Sequence, residues 1–182
     1  MEIEPLISGS KWTILELLSE KSLSPTEMAE KTKTSLANIS QQLRLLEMTG
    51  IVKKERQNLR EKGKPRMLFS LNDDYSYVVA MFHDFSAKKL FPATGHHKVV
   101  MKIWCLLDAG AHYAVEKFYF DCEQYLSGIS EIYVTPDSKK IIVAVKDRES
   151  EKAVSSIKSE MEVQTVMDKG RGKIPPDSHR IY

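Results

Sequence analysis

Several features that would settle a protein's class at once are scarce in this chain. Its 182 residues contain only two cysteines, Cys105 and Cys122. With no signal peptide in view, two thiols argue against a small secreted scaffold held by disulfides. No stretch reaches 18 consecutive apolar residues, and the start Met1-Glu2-Ile3-Glu4-Pro5 is acidic. Neither membrane spanning nor export is therefore expected, and the reading is a soluble, cytoplasmic protein. There is no glycine loop of phosphate-binding type and no serine flanked by glycines as in a nucleophile elbow, so an enzyme is not expected. Net charge is small as well, +2 from 27 basic and 25 acidic residues.

That near-neutral sum hides a local excess. Residues 53–66 hold seven Lys or Arg against two Glu, a net of +5 that leaves the rest of the chain at −3. A concentrated basic stripe neutralises phosphates and releases counterions, whereas a merely solvated surface gains little from gathering cations that repel one another.

What precedes the stripe gives it meaning. In Ser24-Pro25-Thr26-Glu27, Ser24 can accept from free backbone N–H groups, Pro25 suits the first helical position and Glu27 can bond back, which makes a capping box. A short helix starts there with Met28 and Ala29 inward, and Lys33 and Thr34 form the turn after it. At about eight residues it needs neighbours to stand. Over Ser35 to Thr49, the residues Leu36, Ile39, Leu43 and Leu46 keep to one stripe at 100° per residue. Thr34, Ala37, Asn38, Gln41 and Arg44 fall on the opposite side, with Ser35 and Gln42 at its margins. Asn and Gln pair bidentately with adenine in a major groove, while Ser, Thr and Arg serve bases or phosphates. Gly50 then ends the helix, Ile51-Val52 opens a β segment, and Gly63 and Pro65 punctuate the tip of a hairpin that returns through Met67, Phe69 and Leu71.

The order of parts is that of a winged helix-turn-helix. Ser24 to Ala29, Thr34 to Leu46 and Gly50-Ile51-Val52 resemble the ArsR-like winged-helix regulators, and Gly63-Lys64-Pro65-Arg66 followed by Phe69-Ser70-Leu71 looks like the wing of archaeal members. The resemblance covers residues 8–73. It implies a dimeric transcription regulator bound to double-stranded DNA at a partly palindromic site, with the helix of residues 35–49 in the major groove and the wing of residues 53–66 on the backbone or minor groove. Base reading then falls to Thr34, Ser35, Ala37, Asn38, Gln41 and Gln42. Backbone contacts fall to Arg44, Lys53, Lys54, Arg56, Arg60, Lys62, Lys64 and Arg66. One departure stands out: metal-sensing members carry a cysteine-containing box on or near the recognition helix, and this segment has neither Cys nor His. A protein- or RNA-binding winged helix is the alternative, and a DNA reader fused to a degenerate catalytic domain a more distant one.

The fold expected overall is α+β: a winged helix-turn-helix domain over residues 1–74, a connecting or dimerisation helix over 75–95, a small α+β domain over 96–168 and a loop or flexible tail over 169–182. The connecting helix is read over Tyr75 to Phe91 from Val78, Val79, Phe82 and Phe85. In the C-terminal domain, Val99, Val100, Ile103, Trp104 and Leu107 suggest one helix, and Ala111, Val115, Phe118, Cys122 and Tyr125 a second, with Gly110 between them. Two β-branched runs joined by Pro136-Asp137-Ser138-Lys139 make a hairpin, Asp147 caps a helix through Lys158, and Met161 to Met167 forms a further strand, giving the order ααββαβ. Both cysteines are expected as small core residues. Effector binding, dimerisation and catalysis remain three open readings of this half. His96, His97, His112 and Cys122 have the chemistry to hold a metal, but nothing in their spacing gathers them, and no metal or other cofactor is expected.

Overall fold

A computed structural model describes residue 5 and residues 7–57, 66–168 and 174–182. The chain divides into two compact units, Met1–Pro92 and Ala93–Tyr182.

The N-terminal unit begins with α1 (Ser10–Glu20), followed by α2 (Pro25–Thr32) and α3 (Leu36–Met48). Ile14 and Leu18 lie one turn apart on α1 and are buried. They pack with Leu23, Met28, Ile39, Leu43, Leu46, Ile51, Val52 and Phe69 in a single core. The capping box at the start of α2 is formed in full. Glu27 N donates to Ser24 Oγ at 3.4 Å, and the Glu27 carboxylate accepts from Ser24 N at 2.8 Å and from Ser24 Oγ at 2.6 Å. These bonds hold the Glu27 carboxyl below its ordinary value, Ser24's hydroxyl contributing most and its backbone N–H next. Lys33 ends α2 in the left-handed region at φ 52°, and Thr34 N donates to Ala29 O at 3.1 Å. This left-handed residue turns the chain from α2 to α3.

Strand β1 (Val52–Gln57) pairs antiparallel with β2 (Arg66–Leu71), from Val52 opposite Leu71 to Gln57 opposite Arg66. Leu23 adds a one-residue bridge to the other edge of β2, exchanging backbone bonds with Phe69 at 3.0 and 2.8 Å. The wing base is thereby tied to the turn before α2. The expected tip with Gly63 and Pro65, and with it Arg60, Lys62 and Lys64, lies outside the described residues.

The helix expected over residues 75–91 is instead a hairpin. Strand β3 (Tyr75–Met81) pairs antiparallel with β4 (Ser86–Pro92), with Val78 opposite Lys89 at its centre. Phe82 and Phe85 close the loop by donating to each other's carbonyls at 2.7 and 3.4 Å, and their rings stack at 6.1 Å. The residues at 78, 82 and 85 fit a helical stripe, but Tyr75-Ser76-Tyr77-Val78-Val79 is aromatic and β-branched, which favours the pleated backbone. The Phe82 to Phe85 spacing belongs to the turn.

The C-terminal unit starts with α4 (Gly95–Leu106) and α5 (Ala109–Asp121), and a 3₁₀ turn, Glu123–Gly128, leads into the sheet. Its strands are β5 (Ile129–Val134), β6 (Lys140–Val145), β7 (Glu162–Met167) and β8 (His179–Arg180), in spatial order β7-β6-β5-β8. The β5–β6 hairpin is antiparallel, and α6 (Arg148–Ser155) makes the crossover to β7, which runs parallel to β6. Asp147 caps α6 by accepting from Ser150 N at 2.8 Å. The helix stops at Ser155, short of the expected Lys158. Beneath one sheet face, Val99, Ile103, Ala111, Val115, Phe118 and Cys122 meet Ile132, Ile141, Val143 and Val145. Ile142, Ala144 and Val166 form a smaller cluster with Tyr133 and Ile174. The order ααββαβ thus holds, with β8 added.

Several particulars differ from the sequence reading. Gly110 lies inside the first turn of α5, and the break between the helices is at Leu107-Asp108. Trp104 is 53 % exposed and Cys105 is exposed. The buried stripe of α4 is Val99-Ile103-Leu107, and one and two steps of 100° from Ile103 carry Trp104 to its flank and Cys105 to the far side. The Trp104 indole N–H donates to the Glu116 carboxylate on α5. The tail expected to be loose beyond residue 168 is held from 174 onward. Ile181 is fully buried and its N–H donates to Ile132 O at 2.9 Å, while Ile132 N donates to Tyr182 O at 3.2 Å. An apolar residue near a terminus docks when a sheet edge can satisfy its backbone.

Candidate nucleic-acid interface

Helix α3 is oriented by its two faces. Ile39, Leu43 and Leu46 are buried against α1, α2 and β1. Leu36, expected on that stripe, is 49 % exposed. It is the first helical residue, and helical side chains tilt toward the N-terminus, so this one points past the end of the core. Opposite the buried stripe, Ala37, Gln41 and Arg44 are exposed and Thr34 and Asn38 are half-buried, while at its margins Ser35 is exposed and Gln42 half-buried. The first turn is fixed by Ser35, whose hydroxyl accepts from Asn38 N at 3.3 Å. The helix ends through Thr49 into Gly50, which holds φ 76°, a conformation that costs any residue with a Cβ.

Within this face, Asn38 and Gln42 form a pair one turn apart. Gln42 Nε2 donates to Asn38 Oδ1 at 3.1 Å, while Gln42 Oε1 is buried without a hydrogen-bond partner among the described residues. The Asn38 amide is thus held in one orientation with its NH₂ group directed away from Gln42. The sequence placed both residues at the surface but carried no sign of their bond beyond the i, i+4 spacing. Gln41 and Arg44, on adjacent turns, stand clear of that pair.

The basic ribbon is partly neutralised at its base. Lys54 pairs with Glu47 of α3 at 2.7 Å, and Lys53 with Glu55 at 3.0 Å. Both lysines remain about half exposed, so each pair is worth little on its own and is readily exchanged for a phosphate. Glu47 was not singled out in the sequence. It lies in the last turn of α3, and its partner could be assigned only once the position of Lys54 on β1 was known. Arg56 and Arg66 are exposed farther out, and Arg66 stands close enough to Glu27 to help lower its carboxyl pKa. The structure therefore brings together, in one unit, the polar face of α3 and the base of a ribbon bearing Lys53, Lys54, Arg56 and Arg66.

Of the histidines in the C-terminal unit, His96 and His97 meet edge to face with ring centres 6.3 Å apart, and each also has other contacts. The His112 ring contacts Leu107 O at 3.0 Å, His97 Nδ1 contacts Thr94 Oγ1 at 2.9 Å, and His96 packs 4.8 Å from the Phe120 ring centre. Cys122 is buried, which pushes its thiol up to about 12. Among the described residues, no three His, Cys, Asp or Glu side chains are grouped to hold a metal ion, and no helix is long and apolar enough to cross a membrane.

No curated protein matches the chain. Residues 10–54, from α1 into β1, match the family model for the bacterial regulatory proteins of the arsR family, and this segment is an ArsR-like helix-turn-helix, the mark of a DNA-binding transcriptional regulator.

Proposed function

We propose that the protein is a cytoplasmic, sequence-specific regulator that binds duplex DNA as a two-fold dimer at a partly palindromic site. In this reading α3 enters the major groove, with Asn38 and Gln41 making the principal base contacts and Thr34, Ser35 and Ala37 beside them. Gln42 acts through Asn38. Arg44, Lys53, Lys54, Arg56 and Arg66, with Arg60, Lys62 and Lys64 of the wing, supply phosphate contacts. The observation that carries the reading is the two-faced α3, whose exposed side bears Ala37, Gln41 and Arg44 directly opposite the buried Ile39, Leu43 and Leu46. Small and amide side chains on such a helix allow close approach to base edges, and the adjoining cations give affinity that is independent of sequence. Dimer symmetry would space the half-sites by about one helical turn, roughly 34 Å. The C-terminal unit, with its own core, is then the part available to an effector.

The test is binding of the purified protein to the DNA upstream of its own gene and to a random duplex of equal length, across salt concentration, with an RNA control. Preference for the upstream duplex together with a steep salt slope is expected. Equal weak binding to all three would overturn the reading in favour of a protein-binding winged helix, and preference for RNA would redirect it to that ligand.

A further inference from the structure

The polar face of α3 carries two amides whose surroundings differ. Gln41 is exposed. Asn38 is half-buried and fixed twice. Its backbone N–H donates to the Ser35 hydroxyl at 3.3 Å, and its side-chain Oδ1 accepts from Gln42 Nε2 at 3.1 Å. Asn38 Nδ2 makes no hydrogen bond among the described residues and is not buried.

The direction of the Gln42 bond follows from what lies behind it. Gln42 Oε1 is buried without a partner among the described residues. Turning this amide over would let Oε1 accept from Asn38 Nδ2, but would carry Nε2 with its two N–H groups into the same buried place. One unmet carbonyl is easier to bear than two unmet donors, so Gln42 donates and Asn38 accepts. A methionine of similar shape would bring no unmet atom to this position, so packing alone gives no reason for an amide there.

By residue type an asparagine can pair with adenine, its oxygen accepting from the N6 amine while its NH₂ group donates to N7. In this chain Oδ1 is occupied and turned toward residue 42, and what Asn38 offers outward is a pair of N–H donors. The base that presents two acceptors in the major groove is guanine, through O6 and N7. Asn38 is the third residue of α3, within the N-terminal part that meets base edges in a helix-turn-helix. We infer that Gln42 is a positioning residue that holds Asn38 as a donor, so that Asn38 reads guanine. This rests on the proposed docking of α3 in the major groove and names the base that one of its side chains selects.

The test is selection of bound sequences from a pool of randomised duplexes by the full chain, at about pH 8 where an exposed glutamate is ionised. Asn38→Ala marks the symmetric pair of positions governed by Asn38, because preference is lost there. In the wild type these positions should hold guanine, favoured over adenine on the order of tenfold. In Gln42→Glu the side chain at 42 can only accept, so the Asn38 amide turns over and its oxygen faces outward. The preference at that pair should then move to cytosine or adenine, whose amines donate, while the added charge weakens binding to all duplexes alike. Gln42→Met, with its fold checked by circular dichroism, leaves the Asn38 amide unheld and should lose discrimination at that pair alone. A motif untouched by Asn38→Ala, adenine at that pair in the wild type, or guanine kept in Gln42→Glu overturns the role of Gln42 and leaves α3 as a reader of DNA. A pool that stays random with the wild-type chain overturns the DNA reading itself, and this inference with it.

Discussion

Replacing Ser24 by alanine should destabilise the N-terminal unit by about 1 kcal/mol, within the range of roughly 0.5–2 kcal/mol for loss of a helix N-cap. The bonds of Ser24 divide unequally. The one it accepts from Glu27 N is long at 3.4 Å, while the one its hydroxyl donates to the Glu27 carboxylate is short at 2.6 Å, and the Ser24 N to Glu27 bond survives the substitution. The hydroxyl–carboxylate bond is one part of that loss. That makes the effect dependent on pH. The Glu27 pKa is lowered in the folded chain from its ordinary 4.5. The stabilisation is thus fully present above the unfolded value and lost as pH falls through the lowered folded value, so the gap between wild type and Ser24→Ala should narrow on acidification. The assay is thermal unfolding followed by tryptophan fluorescence in a Trp104→Phe background. Of the two tryptophans in the chain, Trp12 in α1 then reports the N-terminal unit alone. A change of about 1 kcal/mol corresponds to a midpoint shift of roughly 4–8 °C for a unit of this size. Ser24→Thr, which keeps the hydroxyl, should recover most of it. An unchanged midpoint, or a gap that widens in acid, would refute the assignment of the capping box as a stabilising element.

Gln41→Ala should weaken the preferred DNA site by about 1–3 kcal/mol with little change on random duplex, read by competition binding, whereas Arg56→Ala should weaken both alike and reduce the log–log salt slope by about one. Ile181→Ala, which empties a fully buried position beside Ile132, should cost the C-terminal unit about 2–5 kcal/mol in denaturant unfolding followed through Trp104. Toward a thiol reagent at mild pH, Cys105 should react rapidly and Cys122 only on unfolding, since Cys122 is buried with its thiol pushed up to about 12; two equally fast thiols would contradict the placement of α5.

What was legible in the sequence was whatever local chemistry dictates. Ser24 and Glu27 cap because a free backbone N–H needs an acceptor. Asp147 does the same for α6, and Gly50 turns the chain because φ 76° suits glycine. The buried stripe of α3 follows from its period, and so do the strands around Pro136 to Lys139. The failures share a different cause. At Tyr75 to Phe91, two adjacent valines and two phenylalanines satisfied a helical period and a strand equally well, and the decision fell to the turn at His83-Asp84, which lacks the glycine or asparagine that marks most two-residue hairpins. Ile181 docks because the edge of β5 is open to it, a fact about distant residues that no local pattern contains. Leu36, Trp104 and Cys105 were misplaced by one or two steps around or along a helix. In the candidate interface the residue types were readable, while the Gln42 to Asn38 bond and the Glu47 to Lys54 pair required the neighbouring turns and strand to be in place.

The central claim, that α3 reads bases in a two-fold arrangement, is tested most directly by selecting bound sequences from a pool of randomised duplexes with the full-length protein. The account predicts enrichment of an inverted repeat whose half-site centres lie about 10 base pairs apart, and loss of that enrichment at one symmetric pair of positions in Gln41→Ala. A pool that remains random after selection, or a motif unaffected by every substitution on the exposed face of α3, would contradict it.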